Sequence, residues 1–76
     1  MIDADVKLDT SGLVCPLPLL KTKQAMANMT QGQVIEVICT DASSVVDFES
    51  FVAVTGYTML KREQNGKQYI FAIRKE

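Results

Sequence analysis

The stretch that decides the fold is YTMLKREQNGKQYIFAIR, residues 57–74. Two β-prone runs, Tyr57 to Glu63 and Gln68 to Arg74, flank the dipeptide Asn65-Gly66, which favours a tight antiparallel hairpin. Upstream of this hairpin, strand and helix patterns alternate twice. The predicted order is therefore β-α-β-α-β-β, an α+β fold. We expect a two-layer α/β sandwich in which two helices cover one face of a four-stranded mixed sheet.

The upstream elements follow from hydrophobic spacing. Val6 to Asp9 is a short strand candidate, and Val34 to Cys39 resembles a buried strand rich in β-branched residues. Between them, Leu19 to Met29 places apolar side chains at helical spacing, with Leu20 off the apolar stripe and exposed. Gly56 is well placed to end a second helix in the left-handed conformation.

Polar residues predict the start of that second helix. Asp41 or Ser43 is the expected cap, and Ser44 with Asp47 matches a capping box. Asp47 is also an acid in the first turn, where a negative charge stabilises a helix.

Length and composition limit the function. Seventy-six residues with 47% hydrophobic side chains predict one domain, residues 1–76, with a small core and chemistry at the surface. A formal net charge of −1 argues against direct nucleic-acid binding, which depends on phosphate neutralisation. The chain has no histidine, so it lacks a Cys–His catalytic pair and imidazole metal ligands.

Two cysteines, Cys15 and Cys39, are too few for a disulfide framework or a tetrahedral zinc site. The N-terminal run Met1 to Lys7 carries Asp3 and Asp5 and has no long apolar stretch, so we expect neither a signal peptide nor a membrane span. The prediction is a reduced, cytoplasmic protein without cofactor or metal and without membrane association.

The segment Cys15-Pro16-Leu17-Pro18 indicates chemistry. With Pro16 at the first helical position, Cys15 becomes the N-cap and Pro18 the third residue, where proline is tolerated. The N–H groups of Leu17 and Leu19 would then face the sulfur, and the helix dipole would favour a negative charge on it. We expect the pKa of Cys15 to lie about one unit below its usual value near 8.5.

The surroundings of Cys15 favour a carrier over a catalyst. The chain lacks a Cys-x-x-Cys pair for dithiol redox chemistry and a histidine base for acyl transfer. A single activated thiol suits a carrier that other proteins load and unload. Cys39 ends the second predicted strand and is expected to be a small buried hydrophobe. Because both cysteines follow ends of parallel strands, a thiol-redox or regulatory module using Cys15 with Cys39 or a partner thiol stays open as the alternative.

Other residues near Cys15 have supporting roles. Asp9 and Gly12 are expected to shape the preceding turn, with Gly12 supplying a positive φ. A carrier must also present its thiol to larger partners, and charges at the rim of an interface steer their encounter. The predicted docking surface combines apolar and basic residues: Leu17, Leu20, Lys21 and Lys23.

The run LDTSGLVCPLP, residues 8–18, resembles the motif of the TusA-like (SirA-like) sulfur-carrier family, and Lys21 and Lys23 continue it. The resemblance extends from Lys7 to Lys75. Relatives commonly have proline where this chain has Ala42, a change that affects the helix cap and leaves the chemistry alone.

This resemblance implies a fold similar to the C-terminal domain of translation initiation factor three, and a persulfide held on Cys15. The implied donor is a cysteine desulfurase or a rhodanese. The implied acceptors are downstream sulfur-relay or thiolation proteins in tRNA thiolation, cofactor synthesis or sulfur oxidation. The chain would be a sulfurtransferase component acting as a carrier rather than a stand-alone catalyst, and a monomer when free. A pure binding module, suggested only by likeness to a ribosome-binding domain, is disfavoured by the mild acidity.

Overall fold

The computed structural model describes residues 4–76, so Asp3 of the acidic N-terminal run lies outside the described residues. The predicted element order is confirmed. The elements are β1 Val6–Asp9, α1 Leu17–Ala27, β2 Val34–Cys39, α2 Ser44–Thr55, β3 Thr58–Asn65 and β4 Gln68–Arg74. Neither helix of the described chain is long and apolar enough to cross a membrane.

The strands form a mixed sheet in the order β1-β2-β4-β3. β1 runs parallel to β2, while β4 is antiparallel to both β2 and β3. The predicted hairpin joins β3 to β4. Asn65 still pairs with Gln68, so the two loop residues are Gly66 and Lys67, and Gly66 has the φ of +62° that the turn requires.

The core lies between the sheet and the two helices. The rings of Phe48 in α2 and Phe71 in β4 stack with their centroids 4.7 Å apart. Alternate residues of β2 face the helices and are completely buried, as expected for a strand with one covered face. The buried apolar core consists of Met26, Met29, Ile35, Val37, Cys39, Phe48, Phe71 and Ile73. This arrangement confirms the predicted two-layer sandwich.

The bounds of α1 differ from the prediction. The helix begins at Leu17 and ends at Ala27, two residues earlier at each end than the apolar pattern indicated. Met29 is nevertheless buried, because the chain packs against the sheet as it leaves the helix. Leu20 is exposed, as predicted.

The start of α2 also differs. Ser43 is the N-cap, but no side chain makes a capping hydrogen bond, so the predicted capping box of Ser44 and Asp47 is wrong. The Ser44 hydroxyl donates instead to the Asp41 carboxylate, at 3.1 Å. Asp47 does lie in the first turn, and Gly56 ends the helix with a φ of +79°, both as predicted.

Lys75 closes the C-terminal end of α1. Its ammonium donates to the carbonyl oxygens of Met26 and Met29, each at 2.8 Å. The last carbonyls of a helix have no partner within the helix, and the negative end of its dipole attracts a cation. Lys75 therefore stabilises the C-terminal end of α1, the helix that has Pro18 in its first turn.

We expect Lys75→Met to lower the free energy of unfolding by about 1–2 kcal/mol, because two charge-assisted hydrogen bonds are lost while the alkyl stem is kept. Lys67→Met, which removes the same charge from the exposed hairpin loop, is the matched control and should change stability by less than about 0.5 kcal/mol. Urea denaturation followed by circular dichroism measures both. Equal midpoints for the two variants would contradict the assigned role.

Candidate functional site

The loop between β1 and α1, residues 10–16, carries the predicted site, and local contacts fix its first half. Thr10 is buried and donates to the Ile38 carbonyl from both its N–H, at 2.8 Å, and its hydroxyl, at 2.6 Å. The Asp9 carboxylate accepts the Ser11 N–H at 2.9 Å, and hydrogen bonding from Ser11 lowers the pKa of Asp9. Gly12 has a φ of +83°, the left-handed conformation predicted for it. The turn before Cys15 is thus built by Asp9 and Gly12.

The second half of this loop is held by the loop that follows β2. The Gly12 N–H donates to the Thr40 hydroxyl at 2.9 Å, and the Cys15 N–H donates to Asp41 Oδ2 at 2.6 Å. Asp41 also accepts hydrogen bonds from Ser43. The hydrogen bond from Cys15 is the largest cause that lowers the pKa of Asp41, so this carboxyl group is ionised at neutral pH. The backbone of Cys15 is therefore fixed by a charged partner.

The thiol of Cys15 has a partner of its own. Cys15 is exposed, and its Sγ donates to Oδ2 of Asp47, at 2.7 Å. This hydrogen bond raises the pKa of Cys15 above its ordinary value, and desolvation and the charges of Asp47 and Asp41 act in the same direction. The predicted lowering of the Cys15 pKa is wrong, because a carboxylate in direct contact stabilises the protonated thiol.

The start of α1 also differs from the arrangement that predicted a lowered pKa for Cys15. Pro16 is the N-cap and Pro18 the second helical residue, so Cys15 lies one position before the N-cap and not at the N-cap itself, where it was predicted. The peptide bond between Cys15 and Pro16 is cis. The Leu17 N–H donates to the Val14 carbonyl at 2.9 Å and so is not free to face an anion on the sulfur.

Cys39 occupies a different environment from Cys15. It is completely buried at the end of β2, as predicted, and belongs to the apolar core. Its sulfur accepts the Asp41 N–H at 3.3 Å and lies 3.5 Å from the Asp41 carbonyl oxygen, to which the thiol donates. Asp41 thus contacts both cysteines, Cys15 through its side chain and Cys39 through its backbone.

Apolar side chains are exposed beside Cys15. Leu17 and Leu20 of the predicted docking surface are more than one-third exposed, and Val14, which the prediction omitted, is 64% exposed. Lys21 is exposed, and the Lys23 ammonium lies 5.8 Å from the ring centroid of Phe51. Exposed apolar residues thus flank Cys15 in the chain, and two lysines follow them in α1.

An open groove of about 320 Å³ lies between α1 and α2. Its lining includes Leu19, Lys23, Phe51 and Val54, together with Asp47, the residue that binds the Cys15 thiol. Asp47 therefore contacts both the groove and the Cys15 thiol.

Sequence reasoning missed two residues of the site, Asp41 and Asp47, in their contacts with Cys15. Asp41 follows the carboxyl end of β2, at the sheet edge where Cys15 follows β1, so the argument that brought Cys39 towards Cys15 would also have found it. No sequence pattern indicates the contact of Asp47 with Cys15, since it depends on the orientation of α2 and joins residues 32 positions apart in the chain.

The raised pKa predicts slow alkylation of Cys15 at neutral pH. The rate with iodoacetamide should increase with pH along a curve whose midpoint lies above the ordinary pKa of a cysteine thiol, because only the thiolate reacts. In Asp47→Asn the midpoint should move to lower pH, since the carboxylate that disfavours the thiolate is gone. Glu49→Gln, which removes a charge from the same helix where Glu49 pairs with Arg62, should match the wild type. A midpoint unchanged in Asp47→Asn would contradict the assignment.

Comparison with known proteins identifies the relatives of this chain. A family model described as Sulfurtransferase TusA matches residues 6–75. Sulfur carrier protein TusA of Allochromatium vinosum is 44% identical over 75 residues, which cover 99% of each chain. The crystal structure of the SirA-like protein from Desulfitobacterium hafniense has the same fold, with a TM-score of 0.80 at 24% identity over 93% of this chain and 99% of that one. This chain belongs to the TusA family of sulfur carrier proteins.

Proposed function

We propose that Cys15 accepts sulfur as a persulfide from a donor enzyme and passes it to an acceptor protein. The observation that carries the proposal is the contrast between the two thiols, since Cys15 is exposed on a fixed loop and Cys39 is completely buried. Membership of a family whose relatives are named sulfur carriers supports the same role. In this proposal residues 1–76 act as a single sulfur-carrier domain.

The proposed transfer is a thiol–persulfide exchange. The Cys15 sulfur attacks the outer sulfur of a donor cysteine persulfide, a new sulfur–sulfur bond forms on Cys15, and the bond within the donor persulfide breaks. The proton of the Cys15 thiol ends on the donor thiolate that leaves. Delivery repeats these steps with an acceptor thiol as the attacking group. No external oxidant or reductant is consumed in either direction.

The proposed donor is a cysteine desulfurase or a rhodanese, and the proposed acceptor is a downstream sulfur-relay or thiolation protein. Both must bring a cysteine to Cys15, so both would contact the surface around it. Leu17 and Leu20 supply apolar area to such a contact, and Lys21 and Lys23 supply positive charge at its rim. Val14 extends the apolar part.

The alternative of a redox module using Cys15 with Cys39 has weaker support. A disulfide between them would require Cys39, which has no exposed surface, to leave the core and its contacts with Asp41. We expect mild oxidant to leave the native protein without an internal disulfide. Intact mass spectrometry would reveal one as a loss of two hydrogen atoms, and that result would favour the redox role.

Loading experiments test the proposed function. The protein is incubated with a cysteine desulfurase and cysteine, or with a rhodanese and thiosulfate, and intact mass spectrometry counts the sulfur atoms gained. We expect the wild type and Cys39→Ser to gain sulfur and Cys15→Ser to gain none. The two variants exchange the same atoms, so each controls for the other. Sulfur on Cys15→Ser together with its absence from Cys39→Ser would overturn the assignment.

A further inference from the structure

Two carboxylates form hydrogen bonds with Cys15, the residue whose thiol the proposed function uses. Asp47 reaches the Cys15 sulfur from α2 at 2.7 Å, and Asp41 reaches the Cys15 N–H from the loop after β2 at 2.6 Å. On α1, the Lys23 ammonium lies over the Phe51 ring, and Lys21 is exposed. The charged side chains that form hydrogen bonds with Cys15 in the described chain are therefore both carboxylates.

The empty and the loaded forms of Cys15 meet these carboxylates differently. In the empty form the protonated thiol donates a hydrogen bond to the Asp47 carboxylate. In a persulfide, the sulfur bonded to the Cys15 side chain carries no proton, so this hydrogen bond is lost. The outer sulfur of a persulfide is more acidic than a thiol, and at neutral pH it is an anion. An anion held near Asp47 and Asp41 is repelled by both.

We propose that Asp47 is a positioning residue that opposes retention of sulfur on Cys15 and so favours its delivery. Its carboxylate stabilises the empty carrier by accepting a hydrogen bond from the thiol and destabilises the loaded carrier by repelling the terminal sulfur. The proposal rests on the proposed function, because it concerns the persulfide on Cys15. It goes beyond that function by proposing that Asp47 hinders the loading of Cys15 and assists its discharge to an acceptor.

The exchange with a small persulfide isolates this effect from partner docking. Cys15 thiol and the anion of glutathione persulfide react to give the Cys15 persulfide anion and glutathione. The outer sulfur moves from glutathione to Cys15, and the thiol proton of Cys15 moves to the glutathione sulfur. Atoms and charge balance, and the equilibrium constant compares the loaded form with the empty one.

The experiment measures this equilibrium at pH 7 by intact mass spectrometry for the wild type, Asp47→Asn and Asp47→Ser in the full chain. Both substitutions should shift the equilibrium about two- to fivefold towards the loaded form, a size typical of exposed charge pairs. The serine variant removes the charge without adding an amide donor. Discharge to a small thiol should be slower in both variants than in the wild type.

Glu49→Gln is the matched control and should keep the wild-type equilibrium, because Glu49 pairs with Arg62 rather than with Cys15. Equal equilibria for the wild type and both Asp47 variants, or a shift towards the empty form, would overturn the proposal. If no variant gains sulfur, the proposed function fails with it. If all gain sulfur equally, the proposed function stands and the role of Asp47 is rejected. The alkylation pH profile shows in each case whether Asp47 still acts on the thiol.

Discussion

The site depends on the parallel pairing of β1 with β2. In its register Leu8 lies opposite Val37 and Asp9 opposite Ile38, so both strands end at the same edge of the sheet. The loops that follow them leave side by side, and the hydrogen bonds that hold the backbone of Cys15 cross from one loop to the other. A slip of one residue would turn the inward side chains of β1 outward and separate these partners. The position of the Cys15 thiol thus depends on the pairing of β1 with β2.

Asp41 links the two adjacent loops by hydrogen bonds and so fixes their relative positions. One carboxylate accepts the Cys15 N–H and the hydroxyl groups of Ser43 and Ser44 at the start of α2. The loop that carries the thiol and the beginning of α2 are therefore joined through one side chain. Asp47 lies in the first turn of that helix, so its approach to the Cys15 sulfur follows from the same joint. Asp41 fixes the backbone of Cys15, and Asp47, six residues later, accepts the hydrogen bond of its thiol.

Local patterns in the sequence predicted most of the fold, because strands, turns and left-handed glycines depend on residues close in the chain. Asn65-Gly66 located the hairpin, and Gly12 and Gly56 took the predicted conformations. The shift in the Cys15 pKa was predicted in the wrong direction, since the start of the following helix was the only environment that the sequence suggested. The decisive group, Asp47, is 32 positions away and meets the sulfur only after α2 packs. Electrostatics at a surface thiol is a property of the tertiary structure.

The burial of Cys39 has a consequence for the proposed sulfur transfer. The folded chain exposes one thiol, that of Cys15, so under the proposed function each folded molecule carries sulfur at one position. Unfolding would expose Cys39 and double the reactive thiols on each chain. Under the proposed function, selective loading of Cys15 over Cys39 is therefore a property of the folded state.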